Sequence, residues 1–132
     1  MARITVVNDY PDFVELMTSI LDEMVGHEVT GFDASEVTLH DLVETRPQLL
    51  IVDCGVADML IGSGATLDDR TAATLGLLPI IVCSGDGPAL RERAEAYDDL
   101  SNVYALEKPF TLDMLTDVVE RALYRAALAP VA

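Results

Sequence analysis

Ile4-Thr5-Val6-Val7-Asn8-Asp9-Tyr10-Pro11 decides how the rest of the chain is read. Four consecutive β-branched residues suit a strand covered on both faces, and Asn8-Asp9 ends it because their side chains favour turns over the ladder. Pro11 suits the first turn of a helix. From there Phe13, Val14, Leu16, Met17, Ile20, Leu21, Met24 and Val25 recur at three- and four-residue spacing until Gly26, a helix stop.

The same strand-then-helix unit recurs outward from this stretch. Residues 27–32 form a second, less apolar strand, and Asp33-Ala34-Ser35-Glu36 reads as a capping box opening a helix through Val37, Leu39, Leu42 and Val43 to Pro47. A continuous apolar strand over 48–52 ends at Asp53. Positions 55–66, with Gly62-Ser63-Gly64, read as a long loop before a helix from 67 or 68 to 76. Pro79-Ile80-Ile81-Val82-Cys83 is a fourth strand closing on Ser84-Gly85, followed by a helix over 89–97 and a short strand over 103–106. Thr111 caps a last amphipathic helix with Leu112, Leu115, Val118, Val119, Ala122 and Leu123, reaching 128. Residues 1–128 are expected to be one domain, with 129–132 a tail or the start of a linker. Five apolar strands alternating with five helices predict an α/β fold: a parallel sheet with helices on both faces.

Composition narrows the function. The chain has 132 residues, 51% of them apolar, enough for one packed core and too apolar for a disordered acidic tail. With 23 acidic against 8 basic residues the formal charge is −15, and the seven arginines are scattered, so direct binding to nucleic acid or to an anionic membrane surface is not expected. Lys108 is the one lysine. Cys54 and Cys83 are too few for a disulfide framework and read as small core residues rather than a redox pair; His27 and His40 read as surface residues. With no signal-peptide core and no apolar run of membrane-spanning length, the expected location is the cytoplasm.

In an open parallel sheet, ligands bind beyond the carboxyl ends of the strands, where the strand order reverses. Strand one ends in Asn8-Asp9, strand three in Asp53, strand four in Ser84 and strand five in Lys108. An order 2-1-3-4-5 makes Asp9 and Asp53 neighbours. Two carboxylates a few ångströms apart repel by roughly a few kcal/mol near a protein surface, so they call for a cation, and oxygen donors with partial hydration fit Mg²⁺. A carboxylate beside a cation, a hydroxyl and an ammonium can accept a phosphoryl group as an acyl phosphate. Asp53 is the expected acceptor.

Four pieces then carry a resemblance: Ile4-Thr5-Val6-Val7-Asn8-Asp9 with Tyr10-Pro11-Asp12, Leu49-Leu50-Ile51-Val52-Asp53, Ile80-Ile81-Val82-Cys83-Ser84, and Glu107-Lys108-Pro109-Phe110. In this order and spacing the chain resembles the receiver domain of two-component response regulators over nearly its whole length. The resemblance implies a flavodoxin-like three-layer (βα)5 sandwich of order 2-1-3-4-5. It implies phosphorylation of Asp53 by a histidine kinase or phosphotransfer protein, Mg²⁺ held by Asp9, Asp53 and the backbone carbonyl of Gly55, and Ser84 and Lys108 on the phosphoryl group. It further implies a regulatory phospho-acceptor rather than an enzyme. Output would pass to a downstream protein, or to an output domain lying outside this chain, through the face formed by helix 89–97, strand 103–106 and the last helix; a homodimer is left open.

Departures from the family pattern are equally specific. Asn8 stands where an acid is usual, which weakens Mg²⁺ binding although an amide oxygen still holds a metal-bound water. No Met-Pro follows the acceptor, and Ala105 occupies the aromatic switch position with Tyr104 one place earlier. These departures motivate a second reading, a phosphorylation-independent interaction module. An aspartyl-phosphate hydrolase of the haloacid dehalogenase type would want an acid two residues after Asp53, where Gly55 stands. A flavin-binding relative would want a phosphate-cradling hydroxyl and glycine loop after strand one and a tryptophan to stack on the flavin, and the chain has neither.

Overall fold

The computed structural model describes residues 1–62, 78–96 and 102–128. In chain order the elements are β1 (Arg3–Asn8), α1 (Pro11–Thr18) continued by a π turn (Ser19–Met24), β2 (Glu28–Asp33), α2 (Leu39–Glu44), β3 (Leu49–Val52) and α3 (Cys54–Gly62). They are followed by β4 (Ile80–Ser84), α4 (Gly87–Ala96), β5 (Val103–Glu107) and α5 (Leu112–Leu128). The strands form one parallel sheet, as the alternating pattern predicts, in the order β2-β1-β3-β4-β5 that the resemblance implies.

Successive residues of a strand point to opposite faces, and this sorts the apolar strands into two layers. Ile4, Val6, Leu49, Ile51, Ile81 and Cys83 pack with Met17 and Leu21 of the first helix and Leu115 and Val119 of α5. Val7, Leu50, Val52, Ile80 and Val82 pack on the other side with Leu42 of α2, Val56, Ala57 and Leu60 of α3, and Leu90 of α4. Burying each such side chain contributes roughly 1.5–3 kcal/mol. The central strands are therefore apolar throughout, whereas the edge strand β2 is mostly exposed. Gly31 in β2 lets α1 approach closely, since a Cβ there would overlap the Val14 side chain.

Two local expectations need correction. The loop expected from Gly55 begins instead as α3, because the Asp53 carboxylate accepts from the Val56 N–H at 2.8 Å and the Asp53 carbonyl from the Ala57 N–H at 3.0 Å. Val56, Ala57 and Leu60, at helical spacing, are buried. The helix expected over 67–76 lies outside the described residues. The capping box of α2 is at Thr38 and Asp41, not Asp33 and Glu36: Thr38 N–H donates to Asp41 at 2.9 Å and Asp41 N–H to Thr38 Oγ1 at 3.1 Å. Asp33 instead closes a local turn on the Ser35 amide and hydroxyl. Arg46, at φ +50°, turns the chain out of α2 ahead of Pro47. Thr111 does cap α5, accepting from the Met114 N–H at 3.1 Å.

His27 is more than a surface residue. Its Nδ1 accepts the Ala2 N–H at 3.0 Å, fixing the entry to β1, and burial together with the nearby N-terminal charge holds its pKa below the usual imidazole value against the opposing pull of Glu120. His40 pairs with Glu44 at 3.3 Å on the surface of α2. Among the described residues no helix is long and apolar enough to cross a membrane.

Candidate functional site

Parallel strands all end on one side, and the reversal of strand order between β1 and β3 opens a cleft there of about 320 Å³. Asn8, Asp9, Tyr10 and Asp53 line one part of it, and Cys83, Ser84, Gly85 and Lys108 the other. Five of the six residues singled out from sequence meet in this cleft; Gly55 is not among its lining residues.

Each side chain reaches the cleft for a local reason. Asn8 ends β1 and is buried, its Oδ1 accepting the Tyr10 N–H at 3.0 Å. That bond fixes the turn into α1, so Asn8 works as a turn residue and its oxygen is engaged. Tyr10, rather than Asp9, is the N-cap of α1, and no side chain bonds the helix's first amides. Asp9 is exposed and makes no hydrogen bond or ion pair among the described residues. Ser84 ends β4, its oxygen accepting the Asp86 N–H at 3.0 Å, which leaves the hydroxyl proton available. Asp86 in turn accepts from the Ala89 N–H at 3.1 Å in the first turn of α4. Lys108 lies just past β5, where its N–H donates to the Ser84 carbonyl at 2.8 Å and continues the β4–β5 ladder by one residue.

Asp53 is half-buried, and desolvation pushes its pKa above the usual carboxylate value. The Val56 N–H opposes this shift, the Asp9 charge adds to it, and Lys108 and the Gly55 N–H oppose it. Two acids thus face each other with incomplete compensation. The Lys108 ammonium forms no ion pair with either; its Nζ sits 3.8 Å from the centroid of the Phe13 ring and 5.9 Å from that of Tyr10. Burial pushes the Cys83 thiol up to about 12, so it remains protonated. Cys54 packs against the opposite layer of the core from Cys83, and both are free, in accord with core roles.

Asp9 and Asp53 together fit a hydrated divalent cation. Mg²⁺ keeps several waters and needs only one or two protein carboxylates, which Asp9 and Asp53 supply. Among the described residues there is no cluster of three or more acid, His or Cys ligands, and Asn8 Oδ1 uses one of its two lone pairs on the Tyr10 amide. Gly55 lies in the first turn of α3, where a helical carbonyl points along the axis to the amide four residues on. Ligation by Gly55 would require that turn to open.

Sequence reasoning missed the use of Asp53 as a helix cap and of Phe13 as the neighbour of Lys108. It also missed the ion pair at 2.8 Å between Asp58 of α3 and Arg93 of α4. The apolar spacing of α1 includes Phe13 and reads as core, so nothing in the pattern separates a ring that packs from a ring that also holds a charge. Ala105 is exposed on β5, and Tyr104 is half-buried against the layer under α1 and α5.

No protein-family model and no curated protein matches the sequence. Solved structures do match. NtrX from Brucella abortus aligns at 30% identity and a TM-score of 0.72 over 96% of this chain and 27% of its own, so this chain spans about a quarter of that protein's length. The chemotaxis protein CheY4 of Vibrio cholerae aligns at 19% identity and a TM-score of 0.72 over 92% of this chain and 98% of its own. A response regulator receiver domain protein from Clostridium thermocellum aligns at 19% identity and a TM-score of 0.69, covering 97% and 98% of the two chains.

Proposed function

We propose that this chain, a receiver-type domain of the two-component response regulators, is a phospho-acceptor that takes a phosphoryl group on Asp53. The observation that carries the proposal is the meeting of Asp53, Asp9, Ser84 and Lys108, delivered by four strand ends, in one cleft. An Asp53 oxygen attacks the phosphorus of a phosphoramidate, a kinase or phosphotransfer phosphohistidine; the P–O bond forms as the P–N bond breaks, and the leaving imidazole takes up a proton. The product is an acyl phosphate. Ser84 donates its proton to a phosphoryl oxygen and Lys108 supplies positive charge. Asp9 and Asp53 are the groups that would hold a hydrated Mg²⁺, which when bound offsets the charge of the phosphoryl oxygens.

Output follows from what Ser84 already holds. Drawing its hydroxyl toward a phosphoryl oxygen loosens the bond from the Asp86 amide, and Asp86 is bonded into the start of α4. Phosphorylation would thus bias the face of α4, β5 and α5, where a downstream protein or an output domain would bind. Ala105 removes the aromatic that would otherwise report through β5, so the β4–α4 connection carries the signal. The same residue, with the engaged Asn8 oxygen, favours the second reading, an interaction module indifferent to phosphate.

The test is incubation with Mg²⁺ and a small phosphodonor, phosphoramidate or acetyl phosphate, followed by intact-mass measurement. The expected result is one added phosphoryl group on the wild type. No addition with any donor overturns the proposal and leaves the phosphate-indifferent module.

A further inference from the structure

We infer that Phe13 is a positioning residue for Lys108, holding its ammonium beside the cleft without pairing it to a carboxylate. The inference rests on the phospho-acceptor reading of Asp53 and adds a residue that the strand-end pattern does not contain. Lys108 Nζ lies 3.8 Å from the Phe13 ring centroid, within the range where a cation is attracted to the ring face. Although Asp9 and Asp53 share the cleft with it, the ammonium forms no ion pair among the described residues. An aromatic ring is its nearest partner.

The ring is itself held in place. Phe13 stands in the first turn of α1, half-buried against the layer under α1 and α5, and meets the Phe110 ring at 6.4 Å and 82°, an edge-to-face contact. Phe110 is two residues beyond Lys108, so Phe13 contacts both ends of the Lys108–Phe110 segment. It takes the ammonium through one contact and steadies the backbone that carries it through the other.

A ring and a carboxylate hold a lysine with different consequences. A salt bridge to Asp53 would engage the oxygen that must attack phosphorus and would neutralise the lysine. A ring attracts the ammonium through its quadrupole and leaves both charges intact. The arriving phosphoryl group, with about two negative charges and three acceptor oxygens, then draws the ammonium off the ring. Phe13 is thus the resting place of Lys108, and the phosphoryl group its working one.

Because Lys108 is the one lysine in the chain, lysine labelled with ¹³C and ¹⁵N gives a single set of side-chain signals. The ε-methylene protons are expected upfield of an unstructured lysine through the ring current, and Phe13→Leu should remove that shift while Phe13→Tyr keeps it. The rate of phosphorylation by phosphoramidate should fall about two- to fivefold in Phe13→Leu, the size of one exposed cation–π contact, and return to within about twofold in Phe13→Tyr. In a Lys108→Ala background, Phe13→Leu should have no further effect. Should the Leu variant fail to fold, Phe13→Met, apolar and of similar bulk, takes its place. A wild type that phosphorylates but shows an unshifted lysine overturns the inference alone. So does a rate loss of equal size with and without Lys108, which assigns Phe13 to packing. A wild type that accepts phosphate from no donor overturns the phospho-acceptor reading itself, and the positioning role with it.

Discussion

The two ends of the sheet both carry polar and charged side chains and treat them in opposite ways. At the amino end, polar groups reach across between elements and bond one another. Arg3 N–H donates to Gln48 Oε1 at 2.9 Å, Arg3 Nε to the Arg46 carbonyl at 2.8 Å, and the Gln48 N–H to the Arg3 carbonyl at 2.7 Å. His27 takes the Ala2 amide there. At the carboxyl end, Asn8, Asp53 and Ser84 accept only from backbone amides two or three residues on, and the charges of Asp9 and Lys108 make no ion pair among the described residues. One end closes its polar groups into the scaffold. The other keeps them locally tethered and, among the described residues, without an ion pair, the arrangement the proposed phosphoryl site calls for.

Changes at the carboxyl end should therefore alter the chemistry, and changes at the amino end stability alone. The largest effect is expected from Asp53→Asn, which should abolish phosphoryl incorporation measured by intact mass. Its effect on stability has a definite sign. The folded state raises the Asp53 pKa, so ionisation disfavours folding; an amide, which still caps α3, should raise the melting temperature at pH 7, and that gain should vanish as pH falls through the carboxylate range. A lowered melting temperature at pH 7 would count against the uncompensated charge.

Asn8→Asp comes next. It keeps the acceptor for the Tyr10 amide and adds a buried carboxylate beside two others. Mg²⁺ affinity by calorimetry should rise roughly tenfold, and the metal-free protein should lose about 1–2 kcal/mol that Mg²⁺ restores. Unchanged affinity would remove Asn8 from the metal site.

Gln48→Ala, at the opposite end, should cost about 0.5–1 kcal/mol in denaturant unfolding and leave the phosphorylation rate unchanged. A change in that rate would break the division between the two ends. The smallest effect concerns His27. Its folded pKa lies below the unfolded value of 6.5, so its contribution is full above 6.5 and is lost as pH falls through the folded value, because burial and then the nearby N-terminal charge disfavour the imidazolium. His27→Asn, which keeps an acceptor, should flatten the pH dependence of the melting temperature between pH 7 and 5.

How much of this was legible in the sequence differs from element to element. β3 was readable because Leu49–Val52 is buried on both faces and so apolar at every position. α3 was not, because Gly55 speaks for a turn and the cap that starts the helix is the side chain of Asp53, which the pattern reads as a strand-end site residue. The start of α2 was misread because Asp33-Ala34-Ser35-Glu36 and Thr38-Leu39-His40-Asp41 both carry capping chemistry; only the first closes as a turn. For the site, Asp9, Asp53, Ser84 and Lys108 were legible as strand-terminal residues. Asn8 was visible as a missing charge but not as a turn acceptor.

By itself the sequence determined the parallel sheet, its five strands and the set of polar side chains at their carboxyl ends, because hydrophobic period and strand-ending residues are local properties written along the chain. Only the tertiary structure decided where those side chains rest: Asp53 on the first turn of α3, the Asn8 oxygen on the Tyr10 amide, and the Lys108 ammonium on the Phe13 ring, 95 residues away in sequence. The reason is physical. Burial fixes the backbone through many additive contacts, whereas a charged side chain at the rim chooses among a carboxylate, a ring and water by small energy differences that exist only once distant elements have met.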